Sequence, residues 1–133
     1  MEICFQYNNE DMSDKKVLLV VDDESANIDL LVGLLKENYK IKVALNGERA
    51  IKIAQKSLPN LILLDVIMPG INGHEVCQAL KKDPETENLP IVLVTGNASE
   101  EDIQKGAEAG ALETLAKPID PEKLFAAIEK YST

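Results

Sequence analysis

Polar residues that could do chemistry stand at the ends of apolar runs in this chain. Leu61-Ile62-Leu63-Leu64 runs into Asp65, Val17 to Val21 runs into Asp22-Asp23, and Ile91 to Val94 runs into Thr95. Short unbroken apolar runs bounded by turn signals read as buried strands of a parallel sheet. Open α/β sheets place their ligand sites at the carboxyl ends of the strands. Three such strands would deliver three carboxylates and a hydroxyl to one edge. A polar residue that merely ends a strand explains any one of the three runs. It poorly explains a double aspartate, a lone aspartate and a threonine converging.

The elements that must position these residues alternate along the chain. After the first strand, Ile28, Leu31, Leu34 and Leu35 recur at helical spacing. Ile41 to Leu45 alternates and reads as a second strand. Asn46-Gly47 is a turn signal, and Ala50, Ile51 and Ala54 mark a second helix that stops before Pro59. The Asp65 strand leads through Gly73 into a third helix bearing Val76, Ala79 and Leu80. Thr95 closes the fourth strand, and Ser99 caps a fourth helix whose first turn is acidic and whose end is Gly110. Leu112 to Leu115 reads as a fifth strand, followed by Lys117-Pro118. Asp120 and Pro121 open a last helix whose inward face is Leu124, Phe125 and Ile128. Five strand–helix units with short connections imply an α/β domain, a doubly wound parallel sheet covered on both faces.

Composition narrows the function classes. The 133 residues suit one domain, and the formal charge of −9 opposes non-specific nucleic-acid binding, which needs Lys and Arg against phosphates. No apolar run approaches the ~20 residues of a membrane-spanning helix, and no secretory leader is evident, so the expected location is the cytoplasm. Residues 1–14 are polar without periodicity and read as a mobile extension, which leaves 15–133 as the domain. Cys4 and Cys77 form no disulfide framework or metal spacing, and Cys77 reads as a small core thiol. His74, the only histidine, reads as a partly exposed helix residue.

Asp22-Asp23, Asp65, Thr95 and Lys117-Pro118, in this order and spacing, resemble the response-regulator receiver domain of two-component systems. Val21-Asp22-Asp23-Glu24, Asp65-Val66-Ile67-Met68-Pro69-Gly70, Asn72-Gly73, Gly110-Ala111 and Ala116-Lys117-Pro118 strengthen the likeness, which covers Lys16 to Tyr131. The resemblance implies a single five-stranded sheet in the flavodoxin-like order 2-1-3-4-5. It implies phosphoryl transfer to Asp65 from a sensor histidine kinase or a phosphotransfer protein, with the aspartyl phosphate switching contacts to a downstream protein. The chain would then be a signalling module, not an enzyme acting on other substrates. Mg²⁺ or Mn²⁺ would be held by Asp23 and Asp65 directly, by Asp22 through water and by the backbone carbonyl of Ile67. Lys117 would pair with one phosphoryl oxygen and Thr95 would hydrogen-bond another. The Lys117–Pro118 peptide would be cis. One departure is Thr114, which stands where receivers commonly carry an aromatic.

Rival functions fit less well. A haloacid-dehalogenase-like phosphatase also uses an aspartyl nucleophile, but it needs a second acid where this chain has Ile67. A nucleotide or flavin domain needs a phosphate-cradling loop after the first strand. Here that loop is Asp22-Asp23-Glu24, which repels phosphate unless a cation intervenes. A docking-only receiver, never phosphorylated, is the remaining alternative, and the complete set of site residues counts against it.

Overall fold

The computed structural model of the protein describes residues 15–132. The reading of residues 1–14 as a mobile extension lies outside them. The order of elements is β1 (Val17–Val21), α1 (Ser25–Leu35), β2 (Lys40–Ala44), α2 (Gly47–Ser57), β3 (Leu61–Asp65), α3 (Gly73–Lys82), β4 (Ile91–Thr95), α4 (Glu100–Ala109), β5 (Glu113–Ala116) and α5 (Pro121–Tyr131). The strands form one parallel sheet in the order β2-β1-β3-β4-β5.

Strand side chains alternate between faces, so each apolar run feeds two cores. Leu19, Val21, Ile62, Leu64 and Leu93 face one way and pack with Ala50, Ala54, Val76 and Leu80 of α2 and α3. Leu18, Val20, Leu61, Leu63 and Val92 face the other way and meet Ile28, Leu31, Leu35, Leu124 and Ile128 of α1 and α5. Each fully buried Leu or Ile contributes about 1.5–3 kcal/mol relative to an exposed one, so the central strands hold the two layers together.

Side chains fix the helix starts. Asn72 accepts from the Glu75 amide while the Glu75 carboxylate accepts from the Asn72 amide, each at 2.9 Å, a reciprocal capping box. Ser99 accepts from the Asp102 amide, and Asp120 caps α5 with Pro121 in its first turn. Asn46 of the expected Asn46-Gly47 turn caps α2 by accepting from the Arg49 amide.

The structure corrects four local expectations, one of them on α5, where Phe125 is exposed and Ala127 is buried with Leu124 and Ile128. β2 runs from Lys40 to Ala44 and not from Ile41 to Leu45; it is an edge strand on which Val43 is half-exposed and Ala44 is buried. Ala79 lies on the exposed side of α3, whereas Cys77 fills the core beside Val76 as expected. β5 begins one residue late, at Glu113, which leaves Leu112 half-exposed.

Candidate functional site

Sheet register brings the polar residues together. Val21 pairs with Leu64, so Asp22 emerges from β1 beside Asp65 at the end of β3. Asp65 in turn pairs with Val94, and Thr95 pairs with Ala116, which delivers Lys117 to the same edge. The Lys117 amide donates to the Thr95 carbonyl at 2.8 Å, which prolongs the ladder into the site. The Lys117–Pro118 peptide is cis, as the sequence reading anticipated.

Carboxylate oxygens of Asp22, Asp23 and Asp65 all lie within 4.8 Å of one another. Asp22 and Asp65 are buried and Asp23 is exposed. Lys117 Nζ sits 3.2 Å from Asp22 Oδ2 and 3.3 Å from Asp65 Oδ1. The Glu24 amide donates to Asp22 Oδ1 at 3.0 Å and fixes that carboxylate. Burial first and then the charge of Asp22 raise the Asp65 carboxyl, Lys117 pulls it back in part, and together they leave it at about 6. For Lys117, burial favours the neutral amine, but Asp65 and then Asp22 outweigh it and hold its pKa above the usual lysine value. The lysine is thus an internal counter-ion for two acids that otherwise repel each other.

The other expected site residues fall nearby or at the rim. Thr95 is fully buried, and its Oγ1 accepts from the Asn97 amide at 3.1 Å. The Ile67 side chain is 69% exposed beyond Asp65. Asn27, Leu30 and Ile119 line a cleft that opens onto Asp22, Asp65 and Lys117. Thr114 is half-buried.

Gly73 belongs to the site in a way that sequence reasoning missed. Its amide donates to the Val66 carbonyl at 2.7 Å, and a Cβ there would overlap the Asp65 carbonyl oxygen and lie 2.8 Å from Val66 Cα. Only glycine lets α3 begin against the end of β3. A glycine directly after a helix cap was the available signal. His74 also differs from its expectation in part: the residue is half-exposed, but its Nε2 is buried with no hydrogen-bond partner among the described residues.

The three acids offer an all-oxygen donor set of the kind that hard divalent cations take, so the residues fit Mg²⁺. The response regulator receiver domain model matches residues 18–129. The chain belongs to this family. Receiver domains serve two-component signalling, interact with histidine kinases or phosphotransfer proteins, and bind Mg²⁺ in an acidic pocket. Over 112 residues the chain is 46% identical to the response regulator PleD of Caulobacter vibrioides, covering 84% of this chain and 25% of that protein. It therefore spans about a quarter of that relative's length. Protein PilH of Pseudomonas aeruginosa is 35% identical over 112 residues, with 84% of this chain and 93% of PilH covered. Among solved structures, the chemotaxis protein CheY4 of Vibrio cholerae superposes with a TM-score of 0.83 at 30% identity, over 88% of this chain and 98% of that one. No helix among the described residues is long and apolar enough to cross a membrane.

Proposed function

We propose that the protein accepts a phosphoryl group on Asp65 from a sensor histidine kinase or a phosphotransfer protein. The resulting aspartyl phosphate controls its contact with a downstream protein in the cytoplasm. The observation that carries this reading is Lys117 Nζ held between Asp22 and Asp65, a buried carboxylate with a cation at its side.

In the transfer, an Asp65 carboxylate oxygen forms a bond to phosphorus as the phosphorus–nitrogen bond of the donor phosphohistidine breaks. The electron pair returns to the imidazole, which takes up a proton. A carboxylate approaches an anionic phosphoryl group slowly unless charge on the transferring oxygens is offset. Lys117 offsets part of it, and its pairing with Asp65 gives way to a phosphoryl oxygen. Thr95 donates its hydroxyl hydrogen to another oxygen while still accepting from Asn97. Asp23, Asp65, Asp22 and the Ile67 carbonyl are the groups that would hold Mg²⁺. When bound, the cation supplies positive charge to the phosphoryl oxygens. Asp22 and Asp23 would act on the transfer only by holding the cation. The protein changes no other substrate and so works as a signalling module.

Intact-mass spectrometry after acetyl phosphate and Mg²⁺ tests the assignment. One added phosphoryl is expected, lost on chelation of the cation and absent from Asp65→Asn. Undiminished labelling of that variant would falsify the acceptor assignment, and no labelling of the wild type would favour a docking-only module. Asp23→Ala is expected to weaken cation binding far more than Glu24→Ala, since the Glu24 side chain bonds to Asn27 instead of facing the pocket.

A further inference from the structure

We propose that the outer edge of β2 is a docking site for an extended acidic segment of a partner protein, which adds to the sheet as a sixth strand. This inference is independent of the phosphoryl chemistry.

β2 lies at the end of the sheet and pairs only with β1. The Lys40 amide donates to the Lys16 carbonyl at 2.9 Å, and the Ala44 carbonyl accepts from the Asp22 amide at 3.2 Å. The N–H and C=O of one strand residue point to the same side, and successive residues alternate. Residues 40, 42 and 44 therefore turn their backbone toward β1, while Ile41 and Val43 turn theirs outward. Among the described residues no strand pairs with that side.

The segment that carries this edge is rich in basic side chains. Between residues 36 and 56 the chain has six basic and two acidic residues, a local excess of four positive charges in a chain of −9. Lys36, Lys40 and Lys42 ring a groove with Tyr39 over Val32 and Ile41. Arg49, Lys52 and Lys56 of α2 line a separate groove beside Ile53. Among the described residues the only ion pairs are those of Lys117, so none of these six cations meets a described carboxylate. Half-exposed Val43 and exposed Leu45 add apolar surface at the same edge.

Each feature narrows the occupant. Outward N–H and C=O groups ask for a ligand with both acceptors and donors at strand spacing, which a peptide backbone supplies and a phosphodiester does not. Lysines on an edge deter pairing by neutral or basic strands. The same lysines select a strand that alternates acidic with apolar side chains, because opposite charges across neighbouring strands attract. The overall negative charge disfavours a long polyanion, while a short acidic segment meets only the local positive field.

A fluorescein-labelled peptide of five Glu-Val repeats, titrated against the full chain and followed by fluorescence anisotropy, tests the proposal. Binding is expected to weaken at least about tenfold between about 50 and 300 mM salt, and a Lys-Val peptide should not bind. The double reversal Lys40→Glu with Lys42→Glu should weaken it about tenfold or more, whereas Lys105→Glu on α4 should not. Val43→Pro removes an outward N–H and no hydrogen bond of the β1–β2 ladder, so its thermal unfolding should stay near wild type while the peptide is lost. Hydrogen exchange should slow at Ile41 and Val43 on binding. Single-stranded DNA binding as tightly as the peptide, indifference to the Lys40 and Lys42 reversals, or slowed exchange elsewhere on the surface would each overturn the proposal. So would sedimentation showing self-association that the reversals abolish, since the occupant would then be a second copy.

Discussion

β3 and β2 are both five-residue parallel strands, yet every residue of β3 is buried while only Ala44 of β2 is. Burial on both faces makes β3 rigid and dry, so the carboxylate at its tip is perturbed by its surroundings. β2 has one neighbour and meets solvent, and its lysines keep their charges fully hydrated. The difference separates two jobs on one sheet. The centre creates reactivity, because desolvation changes what a carboxylate does. The edge offers recognition, because open backbone groups and hydrated charges are available without rearrangement.

The sharpest break in this comparison is Asp65→Asn, which is expected to remove phosphoryl labelling entirely, while Lys40→Glu with Lys42→Glu leaves it at the wild-type level. Intact mass after acetyl phosphate and Mg²⁺ reads both. Next in size are packing variants: Leu63→Ala should lower unfolding free energy in urea by about 3 kcal/mol, against less than about 1 kcal/mol for Val43→Ala. Equal losses would mean that the edge is as much core as the centre.

A smaller effect concerns pH. The folded Asp65 value, about 6, lies above its ordinary value of 3.8, so the folded protein binds that proton more tightly than the unfolded chain does. Stability of the cation-free protein should therefore be greatest, for this group, below about pH 4 and decline as pH rises to about 6, by no more than about 3 kcal/mol. Urea unfolding in EDTA across that range should show the decline in the wild type and a flatter profile in Asp65→Asn. A profile that rises through the same range in step with Asp65 ionisation would contradict the burial argument. The smallest expected change is in lifetime. Ile67 is exposed beside the acceptor and cannot orient water, so Ile67→Asn should hasten loss of the phosphoryl group several-fold, about 1 kcal/mol in barrier. A wild-type decay as fast as that of the variant removes Ile67 from the account.

Much of the centre was legible because burial imposes a strong pattern. Leu61 to Leu64 are apolar on both faces, and the caps Ser99 and Asp120 carry their own signatures, so those elements were placed correctly. The edge was harder. On β2 only one side packs against a strand, so hydrophobicity no longer reports which face is inward, and Ile41 to Leu45 gave a shifted strand. Cys77 was placed in the core of α3 correctly, but Ala79 is small and borders that face in the helical pattern, so periodicity alone wrongly included it. The site residues Asp22, Asp65, Thr95 and Lys117 were legible as types at strand ends. Their present pairing was not, because Lys117 reaches Asp22 across 95 positions of sequence through the sheet register. The buried Nε2 of His74 was hidden for a similar reason: its surroundings come from the packed fold, not from its neighbours in the chain.

Gly73 sets a limit on how this chain can change by descent. Losing the Asp65 carboxylate leaves a protein that folds, with one buried charge fewer, and that can persist as a binding module. A side chain at position 73 instead drives α3 away from the backbone of Asp65 and Val66. Such a variant surrenders the shape of the proposed acceptor site together with the seat of a helix. In a library of single substitutions selected for signalling, position 73 should empty as completely as position 65, although it contributes no functional group. Selected for folding alone, the two positions should part company, with 65 filling with many residues and 73 still holding glycine.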